Sequence, residues 1–121
     1  MNNFLFKKTL TIPSGQQNSD VLKLDGLHYI VAIGMPAAFT GTLLKVLCSS
    51  ASTEYLPGVG VTVPLAANML PAYDGSDITI TVAPSKYVVG LPQISANWVA
   101  IQSQSVETPA RTIEIIYRAV E

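Results

Sequence analysis

Apolar and polar positions alternate with a period of two along most of this chain, the pattern of strands that bury one face. In Asp77-Ile78-Thr79-Ile80-Thr81-Val82 the alternation predicts Ile78, Ile80 and Val82 inward and Asp77, Thr79 and Thr81 outward. Residues 112–118 place Ile113, Ile115 and Tyr117 on one face, with Glu114, Ile116 and Arg118 on the other. Val59, Val61, Val63 and Leu65 line one side of another expected strand, as do Leu27, Tyr29, Val31 and Ile33. Residues 42–49 are apolar on both faces, which predicts a strand covered on both sides. Further strands are expected over residues 4–12, 21–24, 87–91 and 98–102.

Turn formers break these runs at short intervals: Pro13-Ser14-Gly15, Asp25-Gly26, Met35-Pro36, Pro57-Gly58, Asp74-Gly75, Ala83-Pro84 and Thr108-Pro109. No window of helical length keeps an apolar stripe without meeting Pro or Gly, so helix is confined to a turn or two near residues 66–70. The reading is one all-β domain over residues 1–121, an antiparallel, jelly-roll-like β-sandwich of about eight or nine short strands. Residues 1–8, with Phe4, Leu5 and Phe6 in a row, suit either an N-terminal arm that docks on a neighbour or the first strand of the home sheet.

Composition shifts attention to the surface. Of the 121 residues 49% are hydrophobic and only 12% charged, against a usual charged share of about 25%. A domain of this size cannot hide every apolar side chain, so some are expected to face a partner; the alternative is a monomer kept soluble by Ser, Thr, Asn and Gln. A net charge of −1 with scattered Lys and Arg argues against nucleic acid, Lys7-Lys8 being the one adjacent basic pair. The uncharged runs 55–73 and 87–106 are broken by Pro, Gly, Asn or Gln, so neither reads as a membrane helix. Cys48 is the single cysteine, which rules out an intrachain disulfide, and the N-terminus lacks the layout of a signal peptide. Synthesis in the cytoplasm is the expectation.

No catalytic or metal-binding constellation emerges, so neither an enzyme nor a cofactor or metal site is expected. A single His28 and a single Cys48 leave one conceivable thiol dyad, with a buried, inert cysteine as the simpler state. Gly58-Val59-Gly60 lacks both the third glycine and the helix of a dinucleotide loop. Asp74 and Asp77 flank Gly75-Ser76 without calcium-loop spacing, as an Asp-capped turn would. Tyr55, Tyr73, Tyr87 and Trp98 are the rings available for a sugar platform, Trp98 being better suited to the core or its edge. Tyr55 and Tyr73 bracket an uncharged stretch carrying Pro57, Pro64 and Pro71, which suits a contact surface. The expected interface residues are Phe4, Leu5, Phe6, Tyr55, Leu56 and Tyr73.

Four segments carry a resemblance through their order and spacing. They are Ile12-Pro13-Ser14-Gly15 with Ser19 and Leu24 following, residues 31–39 with the turn Ile33-Gly34-Met35-Pro36-Ala37-Ala38-Phe39, Trp98-Val99-Ala100-Ile101-Gln102-Ser103, and residues 111–118. Together they resemble a family of small proteins encoded among the structural genes of tailed bacteriophages and prophages. The likeness spans nearly the whole chain and departs at residues 56–71, which are more apolar and proline-rich. It implies a virion component, foremost a decoration or cement protein on the phage head. Such a protein bridges subunits of the major capsid protein and associates with itself as a dimer or trimer. A neck, tail or fibre-base component is the alternative, and a carbohydrate-binding sandwich, which the likeness does not support, is the rival from another class.

Overall fold

The computed structural model describes residues 5–120. Nine strands run in chain order: β1 (Leu5–Ile12), β2 (Asn18–Lys23), β3 (His28–Gly34), β4 (Leu43–Ser49), β5 (Leu70–Pro71), β6 (Thr79–Thr81), β7 (Tyr87–Val88), β8 (Trp98–Ser103) and β9 (Arg111–Ala119). One sheet has the order β1-β9-β3-β7; the other has β2-β8-β4-β5, with β6 also paired to β4. The pairs β1–β9, β2–β8, β3–β7 and β4–β6 are those of one long hairpin folded back at its middle. Rolling that hairpin up brings β9 beside β3 and β8 beside β4, all antiparallel. This is the jelly-roll order, and the sandwich expected from the period-two pattern is what forms.

The core lies between the sheets and contains the residues that the alternation turned inward. Leu10 and Ile12 of β1, Leu44 and Val46 of β4, Val99 and Ile101 of β8, and Ile113 and Ile115 of β9 are fully buried there. Ile80 and Val82 join them, with Ile78 half-buried at the margin. In β3 the expected face is corrected. Ile30 pairs with Tyr117 but Ala32 with Ile116, so Val31 is an extra residue, a β-bulge. The bulge puts Ile30 and Ile33 in the core together, while Leu27 is exposed and Tyr29 and Val31 are half-buried.

Residues 59–65 are a second correction, for they form no strand. Leu56 and Gly60 close a tight turn, with φ of +82° at Gly58 and +79° at Gly60, and Pro64 removes a backbone donor. Instead of joining a sheet edge, the segment from residue 50 to 69 lies across the outer face of the five-stranded sheet. Its short 3-10 turn, Ala66–Asn68, sits where a little helix was expected. Met69, half-buried Val61 and Ala66 pack there on Leu47, Trp98 and Ala100, making a second, smaller core. That cover is why β4 and β8 are apolar on both faces.

Four chain segments cross between sheets at one end of the sandwich: β1 to β2, β3 to β4, β6 to β7 and β8 to β9. Glu107 ties the first, second and last of these. Its carboxylate accepts from the Thr40 backbone N–H at 2.9 Å and the Thr40 hydroxyl at 2.6 Å, and its carbonyl accepts from the Gly15 N–H at 2.9 Å. Arg111 Nε donates to the same carboxylate at 3.2 Å. The turn Met35-Pro36-Ala37-Ala38-Phe39 is the β3–β4 crossover itself, with Met35 and Phe39 buried as plugs and the two alanines exposed.

Candidate functional site

Leu5 and Phe6 belong to β1, so this part of the N-terminal segment takes the home-strand alternative; Phe4 lies outside the described residues. Leu5 is opposite Arg118 and Phe6 opposite Tyr117 on β9. The Phe6 and Tyr117 rings stack with centroids 5.4 Å apart, and both meet the His28 ring edge-on. Phe6 is thus largely spent on a local aromatic cluster. Beyond it a groove of about 380 Å³ opens between the sheets, lined by Lys8, Lys23, Val61, Val63, Trp98 and Tyr117 among others.

The covering segment tells a different story. Tyr55 is 68% exposed and Tyr73 69%, with Leu56 exposed between them. They occupy turns, Leu56 closing on Gly60 and Tyr73 bridging Asp77. The sequence pattern missed their companions: Val59, Val63, Leu65 and Leu70 also point to solvent, Leu70 at 73%. Val61, Ala66 and Met69 face the sheet below, whereas Val59, Val63 and Leu65, which share the parity of Val61, face solvent, so the period of two over residues 59–65 marks no buried side. Pro57, Pro64 and the two glycines were the signal that this alternation belonged to a loop. The five expected interface residues among the described ones are therefore split, Leu5 and Phe6 on the four-stranded sheet and Tyr55, Leu56 and Tyr73 on the segments that flank the five-stranded one.

The chemistry considered from sequence disperses in the same way. His28 Nδ1 lies 3.1 Å from the Leu24 carbonyl, and no hydrogen bond joins it to Cys48. Cys48 sits on the other sheet, half-buried, and burial pushes its thiol above the usual range. Asp77 is held by Lys45 at 2.9 Å in an exposed ion pair. Among the described residues no three His, Cys, Asp or Glu side chains gather where a metal could sit. Of the four rings considered for sugar binding, Trp98 is only 5% exposed beneath the covering segment and cannot stack on anything. Its indole N–H is buried without an acceptor among the described residues. Tyr87 is apart from Tyr55 and Tyr73, on the outer face of the four-stranded sheet.

No protein-family model matches the chain, and no curated protein sequence does either.

Proposed function

We propose that the chain is a structural protein of a tailed-phage virion, foremost a decoration protein that bridges neighbouring major capsid protein subunits on the head and associates with itself. The observation that carries this reading is the covering segment. It holds Tyr55, Leu56, Val59, Val63 and Leu65 outward on a support packed to the sheet below. Exposed apolar side chains on an ordered support are what a protein contact requires, since little conformational freedom remains to be lost on binding. A stable contact needs about 800 Å² from each partner, and one protein that touches several subunits gains avidity besides. The order of the four resembling segments supplies the phage context.

The test is attachment to heads. Heads lacking the protein are incubated with the wild-type chain or with Val59→Ser/Val63→Ser/Leu65→Ser, and the particles are imaged. Many wild-type copies on the head lattice, with the variant folded but absent, are expected. A few copies confined to the neck or fibre base would move the protein there. Full occupancy by the variant would remove the covering segment from the contact.

A further inference from the structure

On the outer face of the four-stranded sheet one transverse row runs across all its strands. Tyr87 of β7 pairs with Gly34 of β3, Gly34 with Glu114 of β9, and Glu114 with Thr9 of β1. Around this row lies a hollow of about 250 Å³, completed by Thr112, Met35, Pro36, Ser85 and Lys86. The missing side chain at Gly34 makes room for the Tyr87 ring at its rim. A Cβ there would stand 2.7 Å from Tyr87 Cε1 and 3.2 Å from Glu114 Cβ, so the tyrosine ring rests directly against the glycine. The ring nevertheless remains 61% exposed.

The polar groups are grouped as a ligand would need them. The Tyr87 hydroxyl donates to Glu114 Oε1 at 2.9 Å, which fixes the ring; the carboxylate's other oxygen accepts no hydrogen bond among the described residues. Beside it are the hydroxyls of Thr9 and Thr112 and the ammonium of Lys86. This is a flat ring with a free acceptor, a donor and two hydroxyls that can act as either, at the rim of a shallow hollow.

We propose that this hollow binds a neutral saccharide unit, a hexose or N-acetylhexosamine, with its apolar face on Tyr87 and its hydroxyls on Glu114, Thr9 and Thr112. A pyranose offers what the hollow lacks: a weakly polar ring face for the tyrosine and several hydroxyls for the unspent acceptor and donors. The site is on the opposite sheet from the covering segment, so it stands or falls independently of the capsid reading. Its size permits one ring, for which a dissociation constant of about 1 mM is the reasonable scale.

The experiment is an NMR titration of the wild-type protein with glucose, galactose, mannose, N-acetylglucosamine and N-acetylgalactosamine, backed by an array of neutral oligosaccharides built from them. Saturable shifts centred on Gly34, Tyr87 and Glu114 are expected with at least one sugar. Tyr87→Ala and Glu114→Gln should each weaken binding at least tenfold, and Tyr55→Ala should leave it unchanged. Tyr87→Phe keeps the ring and should weaken binding only a few-fold, which separates loss of the site from loss of the fold. No binding to any probe overturns the proposal. So does binding that survives Tyr87→Ala, or shifts that centre on Tyr55 and Tyr73.

Discussion

On the outer face of the four-stranded sheet Tyr87, Gly34, Glu114 and Thr9 stand exposed or half-buried, with the Tyr87 hydroxyl bonded to Glu114. On the outer face of the five-stranded sheet Trp98, Ala100 and Leu47 are buried under residues 50–69. Both sheets share one inter-sheet core, so the difference lies in what each strand carries on its second face. β9 alternates Ile113 and Ile115 with Thr112 and Glu114; β8 alternates Val99 and Ile101 with Trp98 and Ala100. A polar second face can stay wet and hold a small hollow, whereas an apolar one needs a lid. The lid then carries its own outward side chains, and those become the apolar surface of the molecule. On this reading the exposure of Val59 and Leu65 is a consequence of β8 being apolar on both sides.

The most severe way to break this contrast is Trp98→Ala. It removes the largest side chain of the second core and leaves the lid without a floor. A loss of about 3–5 kcal/mol is expected, read from urea unfolding. Thr112→Ala on the open face should cost no more than about 0.5 kcal/mol. Losses of similar size at the two positions would mean that the lid adds nothing that the open face lacks. With Trp98→Ala, faster amide exchange should also spread through residues 55–69 while Ile101 and Ile115, in the shared core, are affected only through global unfolding.

Glu107 sharpens the comparison because it belongs to neither face. It joins the crossovers on which both sheets depend, so its loss should weaken the two layers together. Burial by itself would raise the Glu107 pKa, but the hydrogen bonds from Thr40 and the Arg111 guanidinium outweigh it and hold the group below its ordinary 4.5. A depressed folded-state pKa gives stability that is fully present above the unfolded-state value and is lost as the pH falls through the folded-state one. Glu107→Gln keeps the shape and removes the charge. It should cost about 2–3 kcal/mol at neutral pH, the scale of hydrogen bonds to a charged group. It should also flatten the decline in stability below pH 4.5. Unfolding curves between neutral and acid pH give both numbers, and an acid limb as steep as that of the wild type would assign the lability elsewhere.

How much of this could be read from the sequence depends on whether a residue's fate is local. The faces of residues 77–82 and 112–118 were legible because polar and apolar side chains alternate strictly there. Val31 was not, since Tyr29-Ile30-Val31-Ala32-Ile33 is apolar at every step and a one-residue bulge leaves no polar marker. Residues 59–65 misled for a related reason. Of the alternating Val59, Val61, Val63 and Leu65 only Val61 turns to the sheet, because Pro64 and the glycines at positive φ break the extended backbone that a period of two assumes. Glu107 sits among Ser, Thr and Pro and reads as solvated; only Arg111 four residues on hinted otherwise, and its burial needs Thr40 and Gly15 from distant crossovers. At the surface, Tyr55, Leu56 and Tyr73 stood out because their segment lacks charge, whereas the row Tyr87-Gly34-Glu114-Thr9 is assembled from four separate strands. The segments that carry the resemblance hold much of the scaffold, including the plugged crossover and the central strand β8. The stretch that departs from it, residues 56–71, contains most of the lid.

A smaller effect than that of Trp98→Ala or Glu107→Gln is the most discriminating about the lid. Trp98 Nε1–H is buried with no acceptor among the described residues, and an unpaired buried donor costs about 1–3 kcal/mol. Trp98→Phe deletes that donor and keeps a ring beneath the lid. The smaller ring leaves a gap beside Val61 and Met69, and a partly relaxed gap costs a comparable amount at about 24 cal/mol per Å³. The two contributions oppose each other, so the net change should lie within about 1 kcal/mol of zero, far from the Trp98→Ala value. Urea midpoints of the wild type and both variants, measured together, separate the possibilities. A Phe variant that loses nearly as much as the Ala variant would mean that the indole N–H has a partner, such as a water enclosed under the lid, and that the second core is a polar-anchored structure. A Phe variant at parity would mean that the lid is held by apolar packing alone, which leaves its outward side chains free to be exchanged without unseating it.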